Sequence, residues 1–222
     1  MTIYENRELS WLRFNERVLE EAASASVPLG ERLSFLSIFQ SNLDEFFMVR
    51  VGSLTDRAKT APGSRDSKTD MTPEQQLEAI MEEVRRLCAK KDKIYAQVMS
   101  ELREYGMQLI NFSSLSDEDA AFLEKYFKKE IRPLLAPQII SKRQPFPFLR
   151  GKEIYAVVAL SAKKSKNGKH KNSDDDRGDG SGKKKSAVKL GIVPCNSQMF
   201  PKLIKVPGRE ETFMLADELI LH

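Results

Sequence analysis

The feature that most constrains the fold is a long run of apolar residues repeating every seven positions in the middle of the chain. Thr72 can cap a helix there, because Pro73 suits the first helical position and Gln75 stands three residues after the cap. The residues on the repeating face are Leu77, Ile80, Val84, Leu87, Lys91, Ile94, Val98, Leu102 and Tyr105, with Lys91 as the one interruption. Gly106 is placed to end the helix. We predict one helix of about 50 Å, packed on neighbouring helices as an intramolecular hairpin arm, with a dimer seam as the alternative.

The residues before this helix also have helical patterns. Asn6 can cap a first helix, whose apolar residues fall near the three-four spacing of a buried stripe: Leu9, Trp11, Phe14, Val18 and Ala22. A second helix is predicted to begin near Pro28, and it carries Leu29, Leu33 and Leu36. Everything up to about residue 106 is therefore predicted to be helical or to connect helices.

A third helix is predicted to begin at Ser41 or Asn42 and to run toward Leu54. Either residue can serve as its cap. Asp44 and Glu45 would then lie in the first turn, where the positive end of the helix dipole favours carboxylates.

After Gly106 the pattern changes to short strands mixed with helices. The two clearest strands are residues 153–160 and 187–193, and shorter strands are predicted at residues 107–112, 203–206 and 212–216. Ser116 with Asp119 can cap a helix in between, and a last helix begins near Asp217. The fold class is therefore α+β. We predict an all-helical N-terminal domain with a long helical arm at residues 1–106, followed by a truncated mixed α/β head domain at residues 107–222.

A charged, low-complexity segment at residues 163–185 explains the basic character of the chain. It holds nine Lys and Arg residues against four Asp residues, whereas the net charge of the whole chain is only +4. Because it lacks apolar residues, burial cannot offset the entropy of ordering it, and we predict a disordered insertion in a hairpin loop. Its lysines could hold a polyanion loosely, but a solvated loop without a dedicated partner is the simpler interpretation, and nucleic-acid binding is not expected.

Several function classes are excluded by what the sequence does not contain. No run of apolar residues is long enough for a membrane helix, and the N-terminus lacks a signal-peptide pattern, so we expect a cytoplasmic protein, with or without peripheral attachment to a membrane. Cys88 and Cys195 are far apart and form no Cys-x-x-Cys motif, so neither a metal site nor a redox site is predicted. His170 lies in the charged insertion and His222 is the last residue, so neither is a candidate nucleophile.

The N-terminal segments resemble the start of bacterial polyphosphate kinases of the long, multidomain type. The resemblance rests on residues 4–19 (YENRELSWLRFNERVL), residues 28–32 (PLGER), Phe35-Leu36, residues 42–46 (NLDEF) and Val49-Arg50. The rest of the chain follows the same family's order of elements more loosely. In that family a helical N-terminal domain and a head domain precede two catalytic domains similar to the phospholipase D fold.

The resemblance implies an activity that this chain does not carry alone. The family transfers the terminal phosphate of ATP to an enzyme histidine and then, reversibly, to a polyphosphate chain, with Mg²⁺. No catalytic residue or metal ligand is predicted among these 222 residues, and no phosphate-binding P-loop is present. The chain by itself is therefore expected to be inactive. Homodimerisation through the head domain is a further implication of the resemblance.

Asn42 is the one site residue that the resemblance assigns, since it matches the family's nucleotide-contacting asparagine. An asparagine amide both donates and accepts hydrogen bonds, as an adenine edge requires. A helix cap is the alternative role, and one side chain could serve both. Asp44, Glu45 and Arg50 are expected to orient the segment rather than to touch the ligand.

Two competing functions stay open. The first is a non-catalytic, truncated homologue that acts as a dimerisation or regulatory module for a complete kinase. The second is a helical scaffold that binds nucleic acid through the lysine-rich insertion at residues 163–185.

Overall fold

The computed structural model describes residues 4–140, 146–160, 189–195 and 198–222. The chain divides into two compact units, residues 1–108 and residues 109–222. The first unit is helical and the second mixes helices with small sheets, so the predicted α+β class is confirmed. The predicted charged insertion at residues 163–185 lies outside the described residues.

Four α-helices build the first unit. Their bounds are α1 (Arg7–Ala23), α2 (Leu29–Phe46), α3 (Gly52–Thr60) and α4 (Pro73–Glu104). A π-helical turn at Phe47–Val51 joins α2 directly to α3. The long helix α4 packs against all three of the others, which agrees with the intramolecular arm preferred from the sequence.

Both ends of α4 are formed as the sequence predicts. The Thr72 side chain accepts a hydrogen bond from the Gln75 backbone N–H, and the Gln75 side chain accepts one from the Thr72 backbone N–H. At the other end Gly106 adopts φ +85°, and the N–H of Met107 donates to the carbonyl oxygen of Leu102 at 3.1 Å. This is a Schellman ending, in which the left-handed residue is usually glycine.

The face that α4 buries is narrower than the predicted one. Its fully or nearly buried apolar residues are Ile80, Leu87, Ile94 and Val98. Tyr105, the last residue of the predicted repeat, is 82% exposed because it lies after the end of the helix.

The predicted buried stripe of α1 needs correction. The residues that pack into the core are Leu12, Leu19 and Ala22, each with no exposed surface. Phe14 was predicted to be buried, yet 49% of its surface is exposed, since it lies about 100° around the helix from the fully buried Asn15. The stripe is therefore centred on a polar residue, which an apolar pattern search passes over.

The prediction of a third helix beginning at Ser41 or Asn42 is wrong. Helix α2 begins after Pro28, as predicted, and continues without a break through both residues to Phe46. The buried residues Leu36, Phe39, Leu43 and Phe46 keep the three-four spacing across the polar pair. Packing of this apolar face therefore decides the local structure, and Asn42 does not cap a helix.

Among its described residues the second unit contains six short strands and two short α-helices, with a π-helical turn at Phe127–Ile131 and 3-10 turns at Phe112–Ser114 and Arg132–Leu134. The elements are β1 (Gln108–Ile110), α5 (Asp117–Tyr126), β2 (Gln138–Ile140), β3 (Tyr155–Leu160), β4 (Lys189–Pro194), β5 (Leu203–Lys205), β6 (Thr212–Leu215) and α6 (Ala216–Leu221). They form two three-stranded sheets, in the orders β1-β6-β5 and β2-β4-β3. Strand β2 was not predicted from the sequence.

Strands β3 and β4 pair antiparallel, with Tyr155 opposite Pro194 and Leu160 opposite Lys189. This is the hairpin pairing that the sequence predicts for the strands on either side of the charged insertion. Ser116 caps α5 by accepting from the Asp119 backbone N–H at 3.2 Å, again as predicted.

Candidate functional site

A set of buried polar and charged side chains connects the helices of the first unit. It consists of Asn6, Glu8, Asn15, Arg32 and Gln76, each less than a tenth exposed. Burying such groups costs free energy unless they are hydrogen-bonded, so their partners define the arrangement of the helices. Asn6, Glu8 and Asn15 lie in the segment 4–19, and Arg32 lies in the segment 28–32. These segments of the resemblance therefore contribute buried polar groups that connect the helices.

Asn15 and Asn42 join α1 to α2 by a side-chain hydrogen bond. Asn15 donates from Nδ2 to the carbonyl oxygen of Phe39 at 3.2 Å, and its Oδ1 accepts from Asn42 Nδ2 at 3.0 Å. Asn42 is half-buried in the interior of α2. Among the described residues its carboxamide oxygen and second N–H have no partner. Asn42 thus has one donor fixed by the protein and keeps a donor and an acceptor for a ligand.

Exposed apolar side chains also occur on the two helices that carry this asparagine pair. Ile38 precedes Asn42 by one helical turn and is 45% exposed. Phe14 is 49% exposed, but it lies about 100° around α1 from Asn15, and the guanidinium carbon of Arg17 is 5.7 Å from the centroid of its ring. Ile38 is therefore an exposed apolar residue one turn from Asn42 on the same helix.

The residues expected to orient the Asn42 segment occupy different environments. Asp44 Oδ1 accepts from the Gln40 side chain at 3.1 Å on the same helix. Glu45 is exposed. Arg50 lies in the π-helical turn, and its Nη1 is 3.6 Å from Glu8 Oε2 of α1. Arg50 therefore does tie this segment to α1, through a turn type that the sequence analysis did not anticipate.

Arg32 connects three helices at the other end of the α1–α2 pair. Its Nε donates to the carbonyl oxygen of Ala22 at 2.8 Å, and its Nη1 donates to Glu101 Oε2 at 2.6 Å. The hydrogen bond from Arg32, assisted by one from Gln97, lowers the pKa of Glu101 below its ordinary value. A cation at the C-terminal carbonyls of α1 also complements the helix dipole.

Ion pairs also hold α1 against α4. Glu16 of α1 accepts hydrogen bonds from Arg86 and from Lys90, the latter at 2.7 Å. The hydrogen bond from Arg86 is the largest cause that lowers the pKa of Glu16 to about 2, and Lys90 acts in the same direction. Every charge in this cluster is paired within the protein, so we interpret it as structural.

The structure describes one of the two histidines. His170 lies outside the described residues. The ring of His222 stacks on that of Phe112, with centroids 3.8 Å apart. In the described part of the chain, no group of three or more His, Cys, Asp or Glu side chains is arranged to hold a metal ion.

Across the described ranges, none of the helices combines the length and apolarity needed to cross a bilayer.

Sequence reasoning found Asn6 as the cap of α1 but missed the buried roles of Asn15, Arg32 and Gln76. A signal was available for Asn15, which stands between Leu12 and Leu19 at the spacing of the buried face. A polar residue at a position that the pattern reserves for an apolar one is a candidate for a buried hydrogen bond. Arg32 and Gln76 carry no comparable signal.

Two family models match the chain in succession. The polyphosphate kinase N-terminal domain matches residues 4–110. The polyphosphate kinase middle domain matches residues 118–222.

Known proteins give the same result. A polyphosphate kinase of Halalkalibacterium halodurans is 46% identical over 163 residues, which cover 73% of this chain and 23% of that protein. A polyphosphate kinase of Bacillus cereus is 37% identical over 220 residues, which cover 98% of this chain and 29% of that protein. The crystal structure of polyphosphate kinase from Porphyromonas gingivalis has a TM-score of 0.73 at 28% identity, covering 99% of this chain and 30% of that one.

The chain thus spans less than a third of the length of the relatives it matches. With its two consecutive domain matches and these relatives, it belongs to the polyphosphate kinase family.

Proposed function

We propose that this chain forms the nucleotide-contacting part of a polyphosphate kinase and that Asn42 recognises the adenine ring of ATP. The observation that carries the proposal is the Asn15–Asn42 hydrogen bond of 3.0 Å. It holds the Asn42 carboxamide in one orientation while leaving a donor and an acceptor without partners among the described residues. Adenine presents a donor and an acceptor side by side on its edge, so one carboxamide can satisfy both.

The surroundings of Asn42 support the same ligand. Ile38, one helical turn from Asn42, offers exposed apolar area against which a purine face can be removed from water. Asn15 is completely buried, so the orientation of Asn42 is set before the ligand arrives. Such preorganisation reduces the entropy lost on binding.

The complete enzyme would use this ATP in a reaction completed elsewhere. In the proposed reaction the terminal phosphate of ATP passes to a histidine, with ADP as the leaving group, and then, reversibly, to a growing polyphosphate chain, which frees the histidine; Mg²⁺ would help to hold the phosphate charge. We assign the residues for these steps to parts of the enzyme outside these 222 residues. This chain alone is therefore expected to make no polyphosphate. We further propose that the complete enzyme is located in the cytoplasm.

Binding of ATP to the purified chain tests the role of Asn42 directly. Isothermal titration should show that Asn42→Ala weakens ATP binding about tenfold or more, because two neutral hydrogen bonds of about 1 kcal/mol each are lost. Asn15→Ala should have a smaller effect, since it releases Asn42 without removing it. Ser41→Ala, at an exposed neighbouring position, is the matched control and should bind ATP as the unmodified chain does.

Two results would contradict the proposal. One is unchanged ATP affinity of a folded Asn42→Ala variant. The other is synthesis of polyphosphate from ATP and Mg²⁺ by the 222-residue chain itself, which would show that the catalytic residues lie within it.

We also propose self-association through the second unit. Both faces of the β2-β4-β3 sheet expose apolar side chains, Val157 and Leu190 on one face and Ile139 and Val158 on the other. We assign the contact to the face that carries Val157. Val157 is 61% exposed. Sedimentation of the chain should show a dimer that Val157→Lys weakens, and a monomer at all concentrations would contradict this proposal.

A further inference from the structure

A polar cavity of about 380 Å³ lies where the N-terminal ends of α1 and α4 meet. Asn6, the cap of α1, donates from Nδ2 to Oε1 of Gln76 in the second turn of α4 at 2.9 Å, and both residues are buried. Two helices, of 17 and 32 residues, therefore bring their positive ends to one place. Helix N-termini of this length attract anions.

Three arginines line this cavity, which does not include Asn42. They are Arg7, Arg50 and Arg57, and the carboxylates beside them are Glu8 and Asp66. Arg7 Nη2 lies 2.9 Å from Glu8 Oε1. Arg57 is exposed, and its guanidinium forms no hydrogen bond or ion pair with any described residue. The lining therefore carries one more positive than negative charge.

The Asp66 carboxylate is held by hydrogen bonds within its own loop and keeps its negative charge. Its Oδ1 accepts from the Thr69 hydroxyl at 2.8 Å and from the backbone N–H groups of Lys68 and Thr69. The Thr69 bonds are the main cause of a lowered pKa at Asp66, and the charge of Arg7 contributes.

Glu8 supplies a second observation that points to a ligand. Its side chain is nine-tenths buried, and its Oε2 has no hydrogen-bond partner among the described residues. Arg50 Nη1 stands 3.6 Å away, beyond hydrogen-bonding distance. A buried carboxylate oxygen without a donor is costly, so this oxygen favours a ligand that brings an O–H group.

We propose that this cavity binds a phosphate oxyanion, with Arg50 and Arg57 contacting its charged oxygens and its protonated oxygen donating to Glu8 Oε2. Monoprotonated orthophosphate and the end group of a polyphosphate chain both have this combination of anionic oxygens and one O–H. A guanidinium group suits such a ligand because its two parallel N–H groups can donate to two phosphate oxygens at once.

This site is distinct from the Asn42 surface. Glu8 precedes Asn15 by seven residues on α1, which corresponds to about 10 Å along the helix axis. The two sites can therefore be tested separately: Asn42→Ala should not alter phosphate binding, and loss of phosphate binding would leave the nucleotide proposal standing.

The test is a titration of the full 222-residue chain with orthophosphate, followed by ¹H–¹⁵N NMR at constant ionic strength. Saturable shifts are expected at the backbone amides of Arg7 and Glu8. Arg57→Gln should raise the Kd about tenfold, as expected for the loss of a charge-assisted hydrogen bond. Arg85→Gln, at an exposed position of α4 that does not line the cavity, is the matched control and should leave the Kd unchanged.

Glu8→Gln tests the hydrogen bond between the ligand and Glu8. Replacing the carboxylate acceptor by a neutral amide should raise the Kd for orthophosphate several-fold, because a charge-assisted hydrogen bond is lost. If this variant does not fold, the comparison of Arg57→Gln with Arg85→Gln decides alone. A second titration with polyphosphate shows which of the two ligands uses the site. Competition with orthophosphate at Arg7 and Glu8 would show that the end of a polyphosphate chain binds there. Absence of competition would restrict the site to free orthophosphate.

Three results would overturn the proposal. They are the absence of saturable shifts at Arg7 and Glu8 with either ligand, equal Kd values for the Arg57→Gln and Arg85→Gln variants, and a folded Glu8→Gln variant that binds phosphate as tightly as the unmodified chain or more tightly.

Discussion

The hydrogen bond between Asn15 and Asn42 predicts a measurable coupling between the two residues. Asn15→Ala removes two hydrogen bonds from a fully buried site, the one to Phe39 O and the one from Asn42. At about 1 kcal/mol each, their loss should lower the free energy of unfolding by about 2 kcal/mol. Asn42→Ala removes only the shared bond, so it should cost about 1 kcal/mol.

The double variant Asn15→Ala/Asn42→Ala shows whether the two residues stabilise the fold through one shared hydrogen bond or independently. Because one bond is common to both single variants, the double variant should cost about 2 kcal/mol rather than the additive 3, a coupling of about 1 kcal/mol. Urea unfolding followed by tryptophan fluorescence is a suitable assay. Trp11 is the one tryptophan of the chain, and its ring stacks on Phe46 at 4.6 Å, so the signal reports on the first unit.

Ser41→Ala is the control for this cycle and should change stability by less than about 0.5 kcal/mol. Additive costs, with a coupling below about 0.3 kcal/mol, would refute the shared hydrogen bond. The reasoning that Asn42 is oriented by Asn15 would then fail, whatever the fate of ATP binding.

Three further predictions concern the helix contacts and ends. The pKa of Glu16 is lowered to about 2 in the folded protein from an ordinary 4.5, so its stabilising effect is complete above the unfolded pKa and is lost as the pH falls from about 5 to about 2. Urea unfolding across this range should therefore show a weaker acid dependence in Glu16→Gln than in the unmodified chain, and identical dependence would contradict the assigned ion pairs. Thr72→Ala should destabilise the first unit by about 1 kcal/mol through loss of the α4 cap, and an unchanged urea midpoint would count against the capping box. Gly106→Ala should cost about 1 kcal/mol because alanine is strained at φ +85°, and a stabilised variant would show that the α4 ending relaxes.

The features that could be predicted from the sequence are those fixed by neighbouring residues. The Thr72 cap, the Gly106 ending and the Ser116 cap each depend on a few adjacent positions with well-defined backbone preferences. A run of apolar residues likewise located β3, although the predicted strand, residues 153–160, begins two residues before the observed one. Local chemistry is sufficient for these elements.

The features that could not be predicted depend on residues distant in the sequence. Ser41 and Asn42 look like a helix start, yet the packing of Phe39 and Leu43 carries α2 through them. Arg32 contacts Ala22 and Glu101, and only the assembled helices bring those partners together. The π-helical turn at Phe47–Val51 has no signature in the sequence either. Tertiary packing overrides local preference at each of these places.

The most direct test of the central claim is to observe the Asn42 side chain while ATP is added. In a ¹H–¹⁵N NMR titration of the 222-residue chain, the side-chain amide signals of Asn42 should shift saturably with ATP. Those of Asn111, in the second unit and outside the proposed surface, should not. Shifts that saturate elsewhere while the Asn42 amide stays unchanged would contradict its assignment as the nucleotide-contacting residue.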